Sequence, residues 1–405
     1  MRTVGIICEY NPFHNGHKRQ IDILRSMGYD CIVCVMSGNY TQRGELAIFD
    51  KYTRAQSAIY GGADIVFELP FPFSSFSAEG FANAGVHILS SLGVDAISFG
   101  SECGNIEILE RAADAILSPE FKTTYTELQK GGLGSASAYF EALQALTGNS
   151  SALLSNDILG ISYIAAIKKM GCDLIPVPIK REGAAYNEKI LSNDVIPSAT
   201  AIREMLKSQS DDLGALLEHH MPERSALTLT DAQNQGGAPV LADNIDDEIL
   251  SFFRLMTPSE IVNRAKTRSG GGEYIAEDGC GIIERICRAS RASQTYDEFL
   301  QVSYNSKYTD ARINRVILFS LFGVSDKLAR SLPEYTVLLA ANRYGREFLS
   351  DIRKSCDFPI VTKPADAPDS VLTSLARSSD SLYSSAMPSS HDQDCFVKKH
   401  PFMLN

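Results

Sequence analysis

The chain has 405 residues, 44% of them hydrophobic and 21% charged, a globular composition that supports a sizeable core and excludes global disorder. At about 150 residues per domain it holds two or three units. A formal net charge of −11 excludes a protein that coats nucleic acid indiscriminately, while leaving room for a local basic face.

The opening MRTVGIICEY has an apolar run too short to span a membrane and no small-residue cleavage site, and no later stretch holds 18 uncharged apolar residues. A soluble, cytoplasmic protein with no membrane partner is expected. The first two hundred residues then alternate between short apolar runs and helix-period stretches. Strands are expected over 3–8, 31–36, 64–69, 95–99 and 174–179, and helices over 17–27, 51–60, 78–92, 106–117 and 157–170. Such alternation, with near-continuously apolar strands, predicts an α/β fold whose Rossmann-like parallel sheet is covered on both faces. Ligands of such sheets sit beyond the carboxyl ends of the strands.

Beyond about residue 205 the pattern changes. TDAQNQGGAP reads as a loop, so 206–245 is expected to be a linker. The stretches 246–268, 280–302 and 310–331 read as amphipathic helices, with one strand signal in EYTVLLAA (334–341). We therefore divide the chain into an α/β domain over 1–205, the linker, and a mainly helical domain over 246–405. The Ser-rich 378–390 is left open between an ordered and a mobile stretch. Nine cysteines are scattered; Cys31 and Cys34 stand three apart inside a buried strand, where alternation puts them on opposite faces, as expected of reduced structural thiols.

The sharpest chemical signal is NPFHNGH, Asn11 to His17. With seven His and 29 Gly in the chain, H-x-G-H arises somewhere by chance with a probability of roughly 1%, and here it falls between the first strand and the first helix. A helix N-terminus offers unpaired N–H groups and partial positive charge to a phosphate. Gly16 allows close approach, and the His14 and His17 imidazoles can donate to phosphate oxygens as pyrophosphate departs. The alternative is that both histidines are loop and cap residues. A second signal is Ser198-Ala199-Thr200-Ala201-Ile202-Arg203. Its hydroxyls Ser198 and Thr200, with Arg203 one turn on, resemble the I-S-S-T-x-x-R signature of H-x-G-H nucleotidyl transferases and are candidates for the outer phosphates; plain N-capping by Ser198 is the alternative.

The chain resembles the tRNA(Met) cytidine acetate ligase family of that superfamily. The resemblance rests on GIICEYNPFHNGH (5–17), MSGNYTQRGELAIFDKYTRA (36–55), GADIVFELPFPFSSFSAEGFA (62–82), ISFGSE (97–102), SNDILGISY (155–163), IKREGAAYNE (179–188) and SATAIRE (198–204). It continues more thinly through ARINRVILFSLFG (311–323) and YTVLLAANRYGREFL (335–349). It implies an ATP-dependent enzyme that joins acetate to ATP, releases pyrophosphate, and passes the acetyl group to the exocyclic amine of the wobble cytidine of elongator tRNA(Met). ATP is then a substrate, with Mg²⁺ carried on its phosphates; no resident metal is expected. The implied ATP site covers Ile7, Cys8, Glu9, Tyr10, Asn11, Pro12, Phe13, His14, Asn15, Gly16, His17, Lys18, Arg19 and Gln20, together with Gly100, Asn156 and Arg181, with His14 and His17 as the catalytic pair.

Read alone, Gly100 is equally a strand-to-loop turn, Asn156 a helix cap and Arg181 a solvated cation. The family commonly has a second asparagine where Asp157 stands, and an apolar residue and a glycine at Glu182 and Ala185. Arg43, Lys51 and Arg54 follow the second strand, where a cation can meet phosphate or RNA. The stretch 280–346 holds ten Lys and Arg against six Asp and Glu. There Arg285, Arg288 and Arg291, and the pair Arg312 and Arg315, recur at helical spacing and are candidates for tRNA. Two other readings stay open: an adenylyl transferase acting on another small substrate, and a nucleotide-gated RNA-binding protein without turnover.

Overall fold

The computed structural model describes residues 1–148, 154–181, 199–207, 213–278, 281–305, 307–389 and 392–405. The first half places β1 (Thr3–Cys8), α1 (Asn15–Ser26), β2 (Cys31–Ser37), α2 (Lys51–Tyr60), β3 (Ile65–Leu69), α3 (Ala78–Ser91), β4 (Ala96–Ser101) and α4 (Ile106–Leu117) in strict alternation. Three more helices, α5 (Pro119–Lys130), α6 (Ser135–Thr147) and α7 (Ser155–Met170), precede β5 (Ile175–Lys180). The five strands run parallel in the order β5-β4-β1-β2-β3. All seven residues of CIVCVMS in β2 are buried, as both-face burial requires of a central parallel strand.

The stretch 206–245, expected to link two halves, carries α9 (Leu213–His220) and α10 (Glu223–Asn234) after α8 (Ala199–Lys207). Ile202 and Leu206 of α8 and Leu229 of α10 share a buried cluster with Ile48 and Phe49. Those apolar positions need a partner surface, and the loop entering α2 supplies it. The helices α11 (Asp246–Leu255), α12 (Pro258–Arg268), α13 (Ile282–Ala292), α14 (Tyr296–Ser303) and α15 (Asp310–Phe322) follow.

Strand β6 (Thr336–Ala341) joins the first-half sheet instead of forming a mixed end of its own. It pairs antiparallel with β3, so the sheet is mixed. It arrives from a distant part of the chain without a βαβ crossover, and nothing constrains it to run parallel. After α16 (Arg343–Ile352), β7 (Ile360–Val361) pairs with β6, as does β8 (Phe402–Met403) beyond α17 (Val371–Ser385).

The Ser-rich stretch is largely the second half of α17. Its Tyr383 is fully buried and donates to the Ala47 carbonyl at 2.7 Å. Its Asp380 accepts from Lys51 Nζ at 2.7 Å, while Glu68 accepts from the same nitrogen at 2.8 Å. Burial alone would pull the Lys51 ammonium down; Asp380 and Glu68 outweigh it and hold the pKa above its ordinary value. Lys51 is therefore a seam between the two halves and not a surface cation.

Candidate active site

The carboxyl ends of β1, β4 and β5 open into a cavity of about 820 Å³. His14 is the N-cap of α1, and its ring does the work that Ser or Asp usually does: Nδ1 accepts from Gly16 N at 3.0 Å. His17 completes a capping box, its Nδ1 accepting from His14 N at 3.2 Å. The rings stack with centroids 3.8 Å apart, and Tyr10 packs against His17 at 4.7 Å. Because both Nδ1 atoms accept, each neutral ring carries its proton on Nε2, a donor for a ligand. Burial, then the charges of Arg181 and Arg203, push the His14 pKa down to about 3. Burial, then His14 and Arg181, lower that of His17. At neutral pH both rings are uncharged donors.

Around them the site assembles much as the residue types imply. Ile7, Cys8, Glu9, Tyr10, Asn11, Gly16, Arg19 and Gln20 all line the cavity, as do Gly100, Asn156, Arg181 and Arg203. A Cβ on Gly100 would sit 3.4 Å from the Arg181 side chain, so the glycine leaves the groove in which that arginine lies. Asn156 is not the cap of α7; that position is Leu154. It donates instead to Glu102. Asp157 is fully buried, with Oδ1 accepting from Glu102 N at 3.1 Å and Oδ2 from Leu154 N at 3.1 Å. The carboxylate is thus matched by N–H donors and fixes the start of α7 beside the cavity. Arg203 is held by Asn11 O and Thr200 Oγ1, each at 3.0 Å, and Thr200 lines an adjoining recess of about 140 Å³. Ser198, Glu182 and Ala185 lie outside the described residues.

Other expectations are redirected. Phe13 and Pro12 are buried behind the loop and are not among the residues lining the cavity, nor are Asn15 and Lys18. Phe13 packs edge-on against Tyr10 at 5.0 Å. Arg54 is wholly buried and donates to Phe49 O (2.8 Å), Glu9 O (2.5 Å), Ser37 O (3.1 Å) and Gly38 O. It ties the ends of β1 and β2 together, and its guanidinium is used up by carbonyls. Of the three cations after β2, only Arg43 lines the cavity.

The arginines expected to meet tRNA divide. Arg288 and Arg291 are exposed on α13. Arg285 closes the end of α14, donating to Ser303 O at 2.6 Å and Val302 O at 2.9 Å. Arg312 donates twice to Glu277 O, at 3.1 and 3.0 Å. Arg315 is buried in the cavity wall itself. Sequence reasoning also passed over Gln42 and the apolar lining of Phe81, Phe99 and Tyr163. Nothing local marks these residues, since β2, α3, β4 and α7 converge only in the fold. Among the described residues no group of three His, Cys, Asp or Glu is arranged to hold a metal, and no helix is long and apolar enough to cross a membrane.

A Rossmann-like sheet with an imidazole-capped helix at its carboxyl edge, faced by two arginines, defines a nucleotidyl transferase. A family model described as HIGH Nucleotidyl Transferase matches residues 1–396. The chain is 36% identical over 381 residues to the tRNA(Met) cytidine acetate ligase of Acetivibrio thermocellus, covering 90% of this chain and 89% of that one. It is 34% identical to the enzyme of the same name from Caldanaerobacter subterraneus, again over 90% and 89%. Its fold is similar to that of Thermotoga maritima TmcAL bound with alpha-thio ATP, with a TM-score of 0.86 and 32% identity over the whole of both chains. The chain belongs to the tRNA(Met) cytidine acetate ligase branch of the HIGH nucleotidyl transferase family.

Proposed function

We propose that this chain is an ATP-dependent ligase that activates acetate as acetyl-adenylate, releases pyrophosphate, and acetylates the exocyclic amine of the wobble cytidine of elongator tRNA(Met) in the cytoplasm. The observation that carries the reading is the corner formed by His14, His17, Arg181 and Arg203. Acetate is already ionised at neutral pH, so its attack on the α-phosphate needs no general base. The site has to bring two anions together and neutralise a departing pyrophosphate, which is catalysis by positioning and preorganised charge. The uncharged His14 and His17 donate from Nε2 to the β- and γ-phosphate oxygens. Arg203, braced by Asn11 and Thr200, takes the outer phosphates, and Arg181 lies along the nucleotide at Gly100. Mg²⁺ enters on the nucleotide, held by phosphate oxygens and water, in keeping with its preference for few protein ligands.

The test is pyrophosphate exchange into ATP, followed by mass analysis of tRNA incubated with the chain, ATP and acetate. Exchange that requires acetate, with an acetyl increment on one cytidine, supports the reading. Exchange driven by a different small substrate makes the chain another adenylyl transferase. Tight binding of ATP and RNA without exchange makes it a nucleotide-gated RNA-binding protein.

A further inference from the structure

The cavity has a second wall besides the β1–β4–β5 edge that the proposed chemistry uses. It is built from Gln42 and Arg43 after β2 and from Thr309, Asp310 and Arg315 of the α15 end. Arg315 is the buried charge in that wall, 7% exposed. Its Nε donates to Glu277 Oε2 at 2.7 Å and its Nη1 to Gln42 O at 3.4 Å. Glu277 is itself fixed, Oε1 accepting from Ser77 N at 2.7 Å, on a backbone with φ of 61°. A non-glycine residue in the left-handed region is strained and persists where the surroundings over-determine it. Here they do: Arg312 and Arg315 both bond Glu277. Gly44, at φ +76°, lets the loop after β2 press on α15, where a Cβ would meet Arg315 N at 2.7 Å. The result is a guanidinium locked by its Nε edge, whose Nη2 has no protein partner among the described residues.

We propose that Arg315 is the base-binding residue of the acceptor site, donating from its Nη edge to the O2 and N3 acceptors of the cytosine to be modified. This rests on the proposed ligase reading. The charge balance selects this ligand. Arg315 is paired with the Glu277 carboxylate, so it offers directed hydrogen bonds with little net charge, which suits a neutral base edge better than a second anion. Arg181 and Arg203 give the other wall its anion-binding capacity, and Arg43 borders both, lining the recess beside Arg203 as well. RNA loops present splayed bases, which enzymes read along the Watson–Crick edge inside a pocket, and Arg43 and Asp310 are exposed at its rim. O2, N3 and the amine lie along one edge of the base, so the contacts to O2 and N3 place the amine beside the guanidinium, inside the cavity shared with the nucleotide side. The amine nitrogen bonds to the acetyl carbonyl carbon, the bond from that carbon to the phosphate oxygen breaks with its electron pair on AMP, and the amine proton leaves to water.

The test separates the two half-reactions with Arg315→Lys and Glu277→Gln in the full chain. Acetate-dependent pyrophosphate exchange needs no tRNA and also reports on folding. We expect exchange within about 2-fold of the parent in both variants, with the KM for acetate unchanged, while kcat/KM for tRNA acetylation falls at least about 10-fold in Arg315→Lys, as the loss of a bidentate base contact dictates. A raised KM for acetate in the exchange assay would overturn the proposal in favour of an acetate-binding role. Equal loss of both half-reactions would overturn it in favour of a structural one, and undiminished acetylation would overturn it outright. If the parent chain itself shows no acetate-dependent exchange, the ligase reading has failed instead.

Discussion

The turn that carries His14 and His17 is fixed by neighbours in the chain, whereas the other wall brings Gln42 to Glu277 and Arg315, which lie more than 200 residues further along. On the first wall the imidazoles are held locally, through a cap and a capping box, while Arg203 reaches Asn11 from a distant part of the chain. On the second, Arg315 and Glu277 pair within the helical half, and the contacts to Gln42 and Ser77 cross to the sheet-forming half. A local wall survives anything that leaves α1 folded; a wall built across a seam depends on how well the seam holds. Lys51, caught between Glu68 and Asp380, is another such seam contact.

The sharpest way to break the comparison is therefore Lys51→Met, which strands two buried carboxylates and is expected to lower stability by about 3–5 kcal/mol. Thermal unfolding measures the loss, and adding Glu68→Gln and Asp380→Asn should recover most of it. A loss that persists in the triple variant would show that packing, not charge, holds α17 in place. On the local wall, His14→Ala or His17→Ala is expected to slow acetate-dependent pyrophosphate exchange by roughly 10²–10³, with tRNA binding by filter retention unchanged. Normal exchange in both variants would remove the histidines from the mechanism.

Gly44→Ala sharpens the contrast on the other side. The strained φ and the clash with α15 should cost about 1–3 kcal/mol, and tRNA acetylation should fall more than exchange. The smallest effect at neutral pH is a pH dependence of stability. Folding lowers the pKa of His14 to about 3 and that of His17 in the same direction, so the unfolded chain binds more protons below about pH 6.5. Their contribution is whole above that pH and is lost as pH falls toward 3. His14→Asn keeps a cap acceptor without titrating, and chemical denaturation across pH 4–7 should show a shallower slope in that variant.

Much of the sheet-forming half is legible from local signals. Helices α2 and α4 fall on the expected 51–60 and 106–117, because Asp50 and Asn105 cap them with side chains that accept from the second and third N–H groups. The H-x-G-H motif announces its site because it stands between a strand and a helix. The cations after β2 mislead for the complementary reason. A lysine or arginine read alone is a surface residue, and nothing near Lys51 or Arg54 in the chain reveals that α17, or the carbonyls closing β1 and β2, will enclose it. Asp157 likewise departs from the common asparagine, yet it finds its donors at Glu102, Cys103 and Leu154.

What the amino-acid order settles by itself is the alternation of strands and helices and the imidazole-capped turn that follows the first strand, since period, caps and turn residues act over a few positions. The antiparallel docking of β6, the burial of Lys51 and Arg54, and the meeting of Arg315 and the histidines in one cavity belong to the tertiary structure alone. Each depends on desolvation and pairing between groups far apart in the chain, and a charge acquires its meaning only from what the fold brings within about 3 Å of it.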